Sequence, residues 1–192
     1  MPKRYQIVYA DPPWRYEVGK GSGLDGLAET HYPTMATEEI CALPVSSIAD
    51  PKGSVLFLWA TFPKLEAALE VMRAWKFTYR TVAFVWVKVS KDGVPIKNVG
   101  WWTRSNAEVC LLGVRGKAPP RLDRTISQLI FAPRLGHSVK PPEVRECIVK
   151  LLGDLLRVEL FARPDGKTTL WGKSSHDGWD VWGNEVKSDI TL

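Results

Sequence analysis

Cysteine is scarce in this sequence: only Cys41, Cys110 and Cys147 occur among 192 residues, far apart and with no CxxC pair. That pattern excludes a disulfide framework and a thiolate zinc site; no metal centre is expected, and a reducing, cytoplasmic setting is the simplest expectation. No stretch approaches the roughly 20 apolar residues that cross a bilayer. Met1-Pro2-Lys3-Arg4 leads into a short apolar run rather than a signal-peptide core, so neither secretion nor a membrane partner is expected. The chain also lacks a G-x-G-x-x-G after its first apolar run, which argues against a dinucleotide enzyme entered through the ordinary first βα turn. Internal repeats, low-complexity tracts and domain boundaries are missing too, and a single domain over residues 1–192 is expected.

What is present suits an ordinary globular core: 45% of residues are hydrophobic and 24% charged, so disorder is not the default. A net charge of +5 favours a polyanionic partner without deciding for one. Nine tryptophans are many for this length, and aromatic faces are where unpaired bases stack, although most should serve the core.

Short runs rich in β-branched and aromatic residues recur at Gln6 to Tyr9, Val55 to Trp59, Val82 to Val87, Val109 to Leu112 and Val158 to Phe161. Such continuous runs suit strands covered on both faces. Between the second and third, Leu65, Ala68, Leu69, Met72 and Trp75 follow helical spacing over Lys64 to Trp75. A second helix is expected from Pro142 to about Leu152, where the prolines suit a helix start. Alternating strands and helices imply an α/β fold, a largely parallel, doubly wound sheet whose ligands sit beyond the carboxyl ends of the strands. Two long loops, the glycine-rich Arg15 to Ala28 and Lys88 to Ser105, are candidate lids or binding loops.

Asp11-Pro12-Pro13-Trp14 follows the first strand, which puts it at a carboxyl end. Prolines lack an N–H, so the segment offers a carboxylate and backbone carbonyls as acceptors in a stiff frame. An exocyclic amine of adenine has two N–H donors and a lone pair delocalised into the ring. Accepting both hydrogen bonds localises that lone pair and stabilises the positive charge that develops on alkylation. Trp14 could fix the base by stacking, and positioning would supply much of the acceleration. Against this stands an ordinary turn after a strand, with Trp14 packed beneath it.

The motifs resemble those of the MT-A70 family of adenine-N6 methyltransferases from about Ile7 to Glu185. They comprise Ala10-Asp11-Pro12-Pro13-Trp14, Tyr32-Pro33-Thr34-Met35, Leu56-Phe57-Leu58-Trp59, Val85-Trp86-Val87-Lys88, Cys110-Leu111-Leu112-Gly113-Val114, His137-Ser138-Val139-Lys140-Pro141, Glu159-Leu160-Phe161 and Trp182-Gly183-Asn184-Glu185. The resemblance implies a Rossmann-like methyltransferase fold with permuted, β-class motif order and S-adenosyl-L-methionine as cofactor. It assigns Asp11, Pro12, Pro13 and Trp14 to catalysis. Asp11, Lys140, Phe161, Arg163, Asn184 and Glu185 are assigned to the cofactor, Glu185 standing where glutamine is common. Tyr32, Trp102 and Glu108 are assigned to the substrate; Glu108 has an alternative reading as a partner of Arg104.

Nucleic acid is the implied partner, DNA favoured over RNA because the compact chain resembles small prokaryotic or phage-like members of the family, with RNA adenine-N6 methylation the alternative. A cytosine-N4, protein or small-molecule methyltransferase and a catalytically silent, nucleic-acid-binding or scaffold subunit are the other readings. A partner subunit is compatible with all of them. Arg115, Lys117, Arg121, Arg124 and Arg134 form a basic cluster that is a candidate for phosphate contacts, or simply a solvated face.

Overall fold

The computed structural model describes residues 3–16, 33–98, 100, 102–135, 139–164 and 176–192. The elements run, in chain order, β1 (Ile7–Ala10), α1 (Thr37–Ala42), α2 (Val45–Ile48), β2 (Gly53–Ala60), a 3-10 turn (Phe62–Lys64), α3 (Leu65–Ala74), β3 (Thr78–Val89), β4 (Ala107–Gly116), β5 (Leu129–Pro133), α4 (Glu143–Leu152), β6 (Arg157–Leu160) and β7 (Asp180–Trp182). The strands form one sheet in the order β5-β3-β4-β2-β1-β6-β7. All share one direction except β4, which pairs antiparallel with both β2 and β3.

The expected α/β architecture is therefore observed, with one departure from parallel order. Among the described residues, the chain between β3 and β4 forms no helix. Without a crossover the chain must turn back, and β4 fills the gap that β3 left when it crossed over α3 to a position beyond it. Bridges Val89↔Pro95 and Asn98↔Ser105 give part of the expected Lys88–Ser105 loop the pairing of a hairpin excursion.

Side-chain alternation along the strands builds a core on each face. Val8, Ala10, Leu56, Leu58, Leu111 and Leu160 pack with Ile40, Val45, Val71, Met72 and Trp75 from α1, α2 and the α3 region. Ile7, Tyr9, Phe57, Trp59 and Cys110 face the other way, against Val144, Ile148 and Leu152 of α4. In α3 the buried positions are Ala68, Val71 and Met72, whereas Leu65 is 38% exposed, so the stripe begins one turn later than the spacing suggests. α1 starts where the Glu39 carboxylate accepts the Ala36 N–H at 2.6 Å, satisfying a donor at the helix start.

This winding collects the functional material at one end. The carboxyl ends of β1, β2, β3, β5, β6 and β7 and the amino end of β4 lie together, which is where an open α/β sheet forms its crevice.

Candidate active site

Asp11 is the first residue after β1, and its N–H points to the Leu160 carbonyl at the end of β6 at 3.5 Å. Lys140 lies between β5 and α4, and its ammonium donates to Asp11 Oδ2 at 2.8 Å. The same ammonium lies 3.3 Å from Glu108 Oε2, while Lys88 Nζ donates to Glu108 Oε1 at 2.6 Å. Glu108 enters from β4 opposite Trp86, and Lys88 stands two residues further along β3. Four side chains from four parts of the sequence thus form a line of alternating charge, Asp11–Lys140–Glu108–Lys88. Lys140 also lies 5.7 Å from the Trp59 ring centroid, and Lys88 lies 5.0 Å from that of Trp86. A cation over an aromatic face interacts favourably with the ring quadrupole.

The line is nearly closed to water, with side-chain exposures of 8% for Lys140 and 12% for Glu108. Burial pushes the Asp11 carboxyl above its usual value, and the Lys140 ammonium only partly offsets that. Burial acts on Glu108 in the same sense, but Lys140 and Lys88 together outweigh it and hold Glu108 below the ordinary carboxylate range. Lys140 is raised despite burial, because Asp11 and Glu108 flank its charge. The direction favours a firmly protonated Lys140 between one stable carboxylate and one poised nearer to protonation. Glu108 pairs with the two lysines rather than with Arg104, contrary to the alternative that sequence proximity suggested.

Pro12, Pro13 and Trp14 behave differently from the simple acceptor cradle. The Pro12 carbonyl accepts the Trp14 N–H at 2.9 Å, and the Pro13 carbonyl accepts the Met35 N–H at 2.8 Å. Each carbonyl has a second lone pair, so acceptor capacity persists, but half of it maintains the turn. Trp14 is only 6% exposed and donates its indole N–H to the Trp59 carbonyl at 3.1 Å. Its ring packs beneath the turn, as the alternative to base stacking expects, and the in-plane bond from its indole N–H fixes the ring's orientation. Trp59 in turn donates to the Tyr9 hydroxyl at 2.7 Å, so three aromatic side chains tie β1, β2 and the turn together.

On the β6 side Asp11 and Lys140 share a polar cleft with Tyr9, Glu159, Phe161 and Arg163. Phe161 follows β6 in a left-handed conformation, φ 61°, and meets Trp182 edge-on with ring centroids 5.3 Å apart. Arg163 Nε lies 3.4 Å from Glu185 Oε1, which brings the end of the chain to this cleft. Asn184 is exposed in the turn that follows β7, beside Glu185. Glu159, buried, lies 3.1 Å from Arg145 and 3.4 Å from His176. The cleft as it stands is narrow, with about 30 Å3 of free space. Cations from Lys140 and Arg163 beside carboxylates from Asp11 and Glu159 nevertheless suit an amino-acid zwitterion next to a sulfonium.

The MT-A70 sequence profile matches residues 5–185. The chain belongs to the MT-A70 family. The MT-A70 chain is 35% identical over 200 residues to a Type II methyltransferase, M.MunI, of a Mycoplasma species, covering 96% of this chain and 78% of that protein. It is 29% identical over 171 residues to the Drosophila melanogaster N(6)-adenosine-methyltransferase MT-A70-like protein, covering 88% and 26%. It is 28% identical over 170 residues to the human N(6)-adenosine-methyltransferase catalytic subunit METTL3, covering 88% and 27%. The chain thus spans about a quarter of these adenosine methyltransferases. Among the described residues, no helix of the MT-A70 chain is long and apolar enough to cross a membrane.

Of the remaining expected site residues, Trp102 is 99% exposed at the open end of the sheet, and Tyr32 lies outside the described residues, as do His137 and Ser138. The basic cluster does not stay together. Because β4 runs against its neighbours, Arg115 and Lys117 sit at the end of the sheet opposite Asp11, where Arg115 donates to the Ser46 carbonyl at 2.6 Å. Leu122, next to Arg121, bonds to the Leu151 carbonyl near the end of α4, on that same far side. Arg134, directly after β5, is on the Asp11 side. Sequence reading assigned no site role to Lys88, Tyr9, Arg145 or Glu159, although Lys88 and Glu159 end and begin two of the family-like motifs. Their signal was a charged or hydroxyl side chain inside an otherwise apolar strand or helix stripe.

Proposed function

We propose that this MT-A70 chain transfers the methyl group of S-adenosyl-L-methionine to the N6 amine of adenine, in DNA by preference. The observation that carries the reading is the convergence of Asp11 with Lys140 and Glu108 at the carboxyl ends of the sheet. Members of the family use S-adenosyl-L-methionine, and the names of the adenosine methyltransferases it resembles support N6 of adenine. DNA is preferred because the relative covered over most of its own length is the Type II methyltransferase, while the adenosine methyltransferases are covered over about a quarter.

S-adenosyl-L-methionine, when bound, supplies an electrophilic methyl on its sulfonium. Lys140 and Arg163 are the groups suited to its carboxylate, and Phe161 and the turn carrying Asn184 and Glu185 are suited to its adenosine. The Asp11 carboxylate and the spare lone pair of a proline carbonyl accept the two N–H groups of the target amine. This draws the nitrogen lone pair out of the ring and stabilises the charge that forms on nitrogen. Lys140 and Glu108 keep the carboxylate oriented, and Trp14 supports the turn from below.

Wild-type protein and the Asp11→Ala and Asp11→Asn variants, each incubated with labelled cofactor and mixed DNA and RNA pools, test this by nucleoside mass spectrometry. N6-methyladenine from DNA is expected with wild type, and a loss of about 100-fold or more in both variants, the scale seen when one preorganised hydrogen-bonding group is removed. Undiminished N6-methyladenine from Asp11→Ala would overturn the mechanism, and methylation confined to RNA would overturn the preference for DNA.

A further inference from the structure

A second cleft opens on the other side of Asp11, where β2 ends and the segment leading into β4 begins. It holds about 510 Å3 and is walled by Tyr16, Thr61, Phe62, Trp102, Arg104 and Asn106. Asp11, Lys140 and Glu108 are not among its walls, so it is distinct from the polar cleft. Its character is unusual for a protein surface. Trp102 is 99% exposed and Phe62 53% exposed, two solvent-facing aromatics lining one opening. Thr61 begins the turn that lifts Phe62 out of the sheet, and the Tyr16 hydroxyl is 2.5 Å from Thr61 Oγ1, which ties the Asp11 segment to that turn. Lys64 Nζ lies 5.3 Å from the Tyr16 ring centroid, and Arg104 is exposed at the rim.

Two solvent-facing aromatic rings beside two cations match an unpaired nucleotide, whose base offers two π-faces and whose phosphate is anionic. The cleft starts at the end of β2, one strand over from β1 and Asp11, a step of about 4.8 Å. It therefore lies within reach of the nucleotide adjoining the one whose amine meets Asp11. Resting on the adenine-methylation reading, we propose that this cleft holds the neighbouring nucleotide in an unstacked state between Phe62 and Trp102, with Lys64 and Arg104 against the backbone. The substrate is then locally single-stranded. A fully paired duplex hides the base faces that the cleft takes, and must open at two positions rather than one.

Fluorescence anisotropy tests this with a labelled adenine-containing single strand, its matched duplex, and a duplex in which the adenine and its neighbour are both mismatched. Wild type is expected to bind the single strand and the mismatched duplex more tightly than the matched one. Phe62→Ala and Trp102→Ala are each expected to weaken single-strand binding about tenfold, as loss of one stacked base does. Phe62→Leu, which keeps bulk without a π-face, should weaken it too, whereas Tyr79→Ala, an exposed aromatic at the start of β3, should not. All these side chains are exposed, and thermal melting checks that the variants fold. Equal binding of matched and mismatched duplex, or unchanged binding by Phe62→Ala and Trp102→Ala, would overturn the proposal. Binding needs no turnover, so a wild type that binds as described but transfers no methyl would sink the methylation reading and leave this one standing.

Discussion

At the scale of single residues, the charge line determines how the site responds to pH. Asp11 is raised above its ordinary 3.8 by burial, so the acid limb of kcat/KM, which reports the free enzyme, is expected above that value. Lys140 lowers the Asp11 pKa and Glu108 raises it. Lys140→Met should therefore move the limb to higher pH and Glu108→Gln to lower pH, opposite signs for two neighbours that touch one another. A pH–rate series on the three proteins checks this, and shifts of the same sign would refute the arrangement.

Stability adds a second consequence. Glu108 is depressed in the folded state, so its contribution is present above its unfolded value near 4.5 and is lost as pH falls through the folded value. Part of this site was legible in the sequence: the acidic turn after a strand and Lys140 before a helix both sit where α/β chemistry gathers. The pairing of Lys88 with Glu108 was not, because the ladder that sets Trp86 opposite Glu108 joins distant segments, which a linear reading does not contain. The burial of Trp14 was undecided for a related reason. Whether an aromatic beside a binding motif is packed under it depends on partners distant in sequence, here the Trp59 carbonyl that accepts its indole N–H.

Among the elements, β4 is the one on which the rest depends, because it bridges two parallel sets of strands. Its far end is tightly fitted: Gly53 and Gly116 are paired, and Lys117 N–H donates to the Lys52 carbonyl at 2.9 Å. Gly116 has φ +64°, and a Cβ there would meet the Lys52 carbonyl oxygen at 2.5 Å. Gly116→Ala combines a left-handed backbone with a contact that must move. It is expected to cost about 2 kcal/mol or more, the scale of one strained backbone position. Urea denaturation measures this, and because the join lies at the end of the sheet away from Asp11, cofactor affinity at low temperature should be retained.

The five runs rich in β-branched and aromatic residues became β1, β2, β3, β4 and β6, since buried strands announce themselves by composition. β5 and β7 did not: β5 is an edge strand with Leu129 47% and Phe131 60% exposed, and β7 has three residues. The direction of β4 was also unread, although the missing helix between β3 and β4 carried that information in physical terms.

For the whole molecule, the reversal of β4 divides the positive charge that gives the chain its net +5. Arg104 and Arg134 stand at the end that holds Asp11, and Arg115 and Lys117 stand at the other. Phosphate contacts release counterions, and the logarithm of affinity for a single strand falls with the logarithm of salt concentration by about 0.7 per contact. If the strand runs across the open end of the sheet, Arg104→Ala and Arg134→Ala should each flatten that slope by about 0.7 while weakening binding at low salt. Lys117→Ala should leave the slope as it is, although it removes the same unit of charge. Net charge alone makes a different forecast, because a diffuse field treats all these cations nearly alike. Titrations of a labelled oligonucleotide at several salt concentrations separate the two. Equal flattening by Lys117→Ala and Arg104→Ala would mean that the strand follows the molecule's overall field rather than the crevice formed by its strand ends.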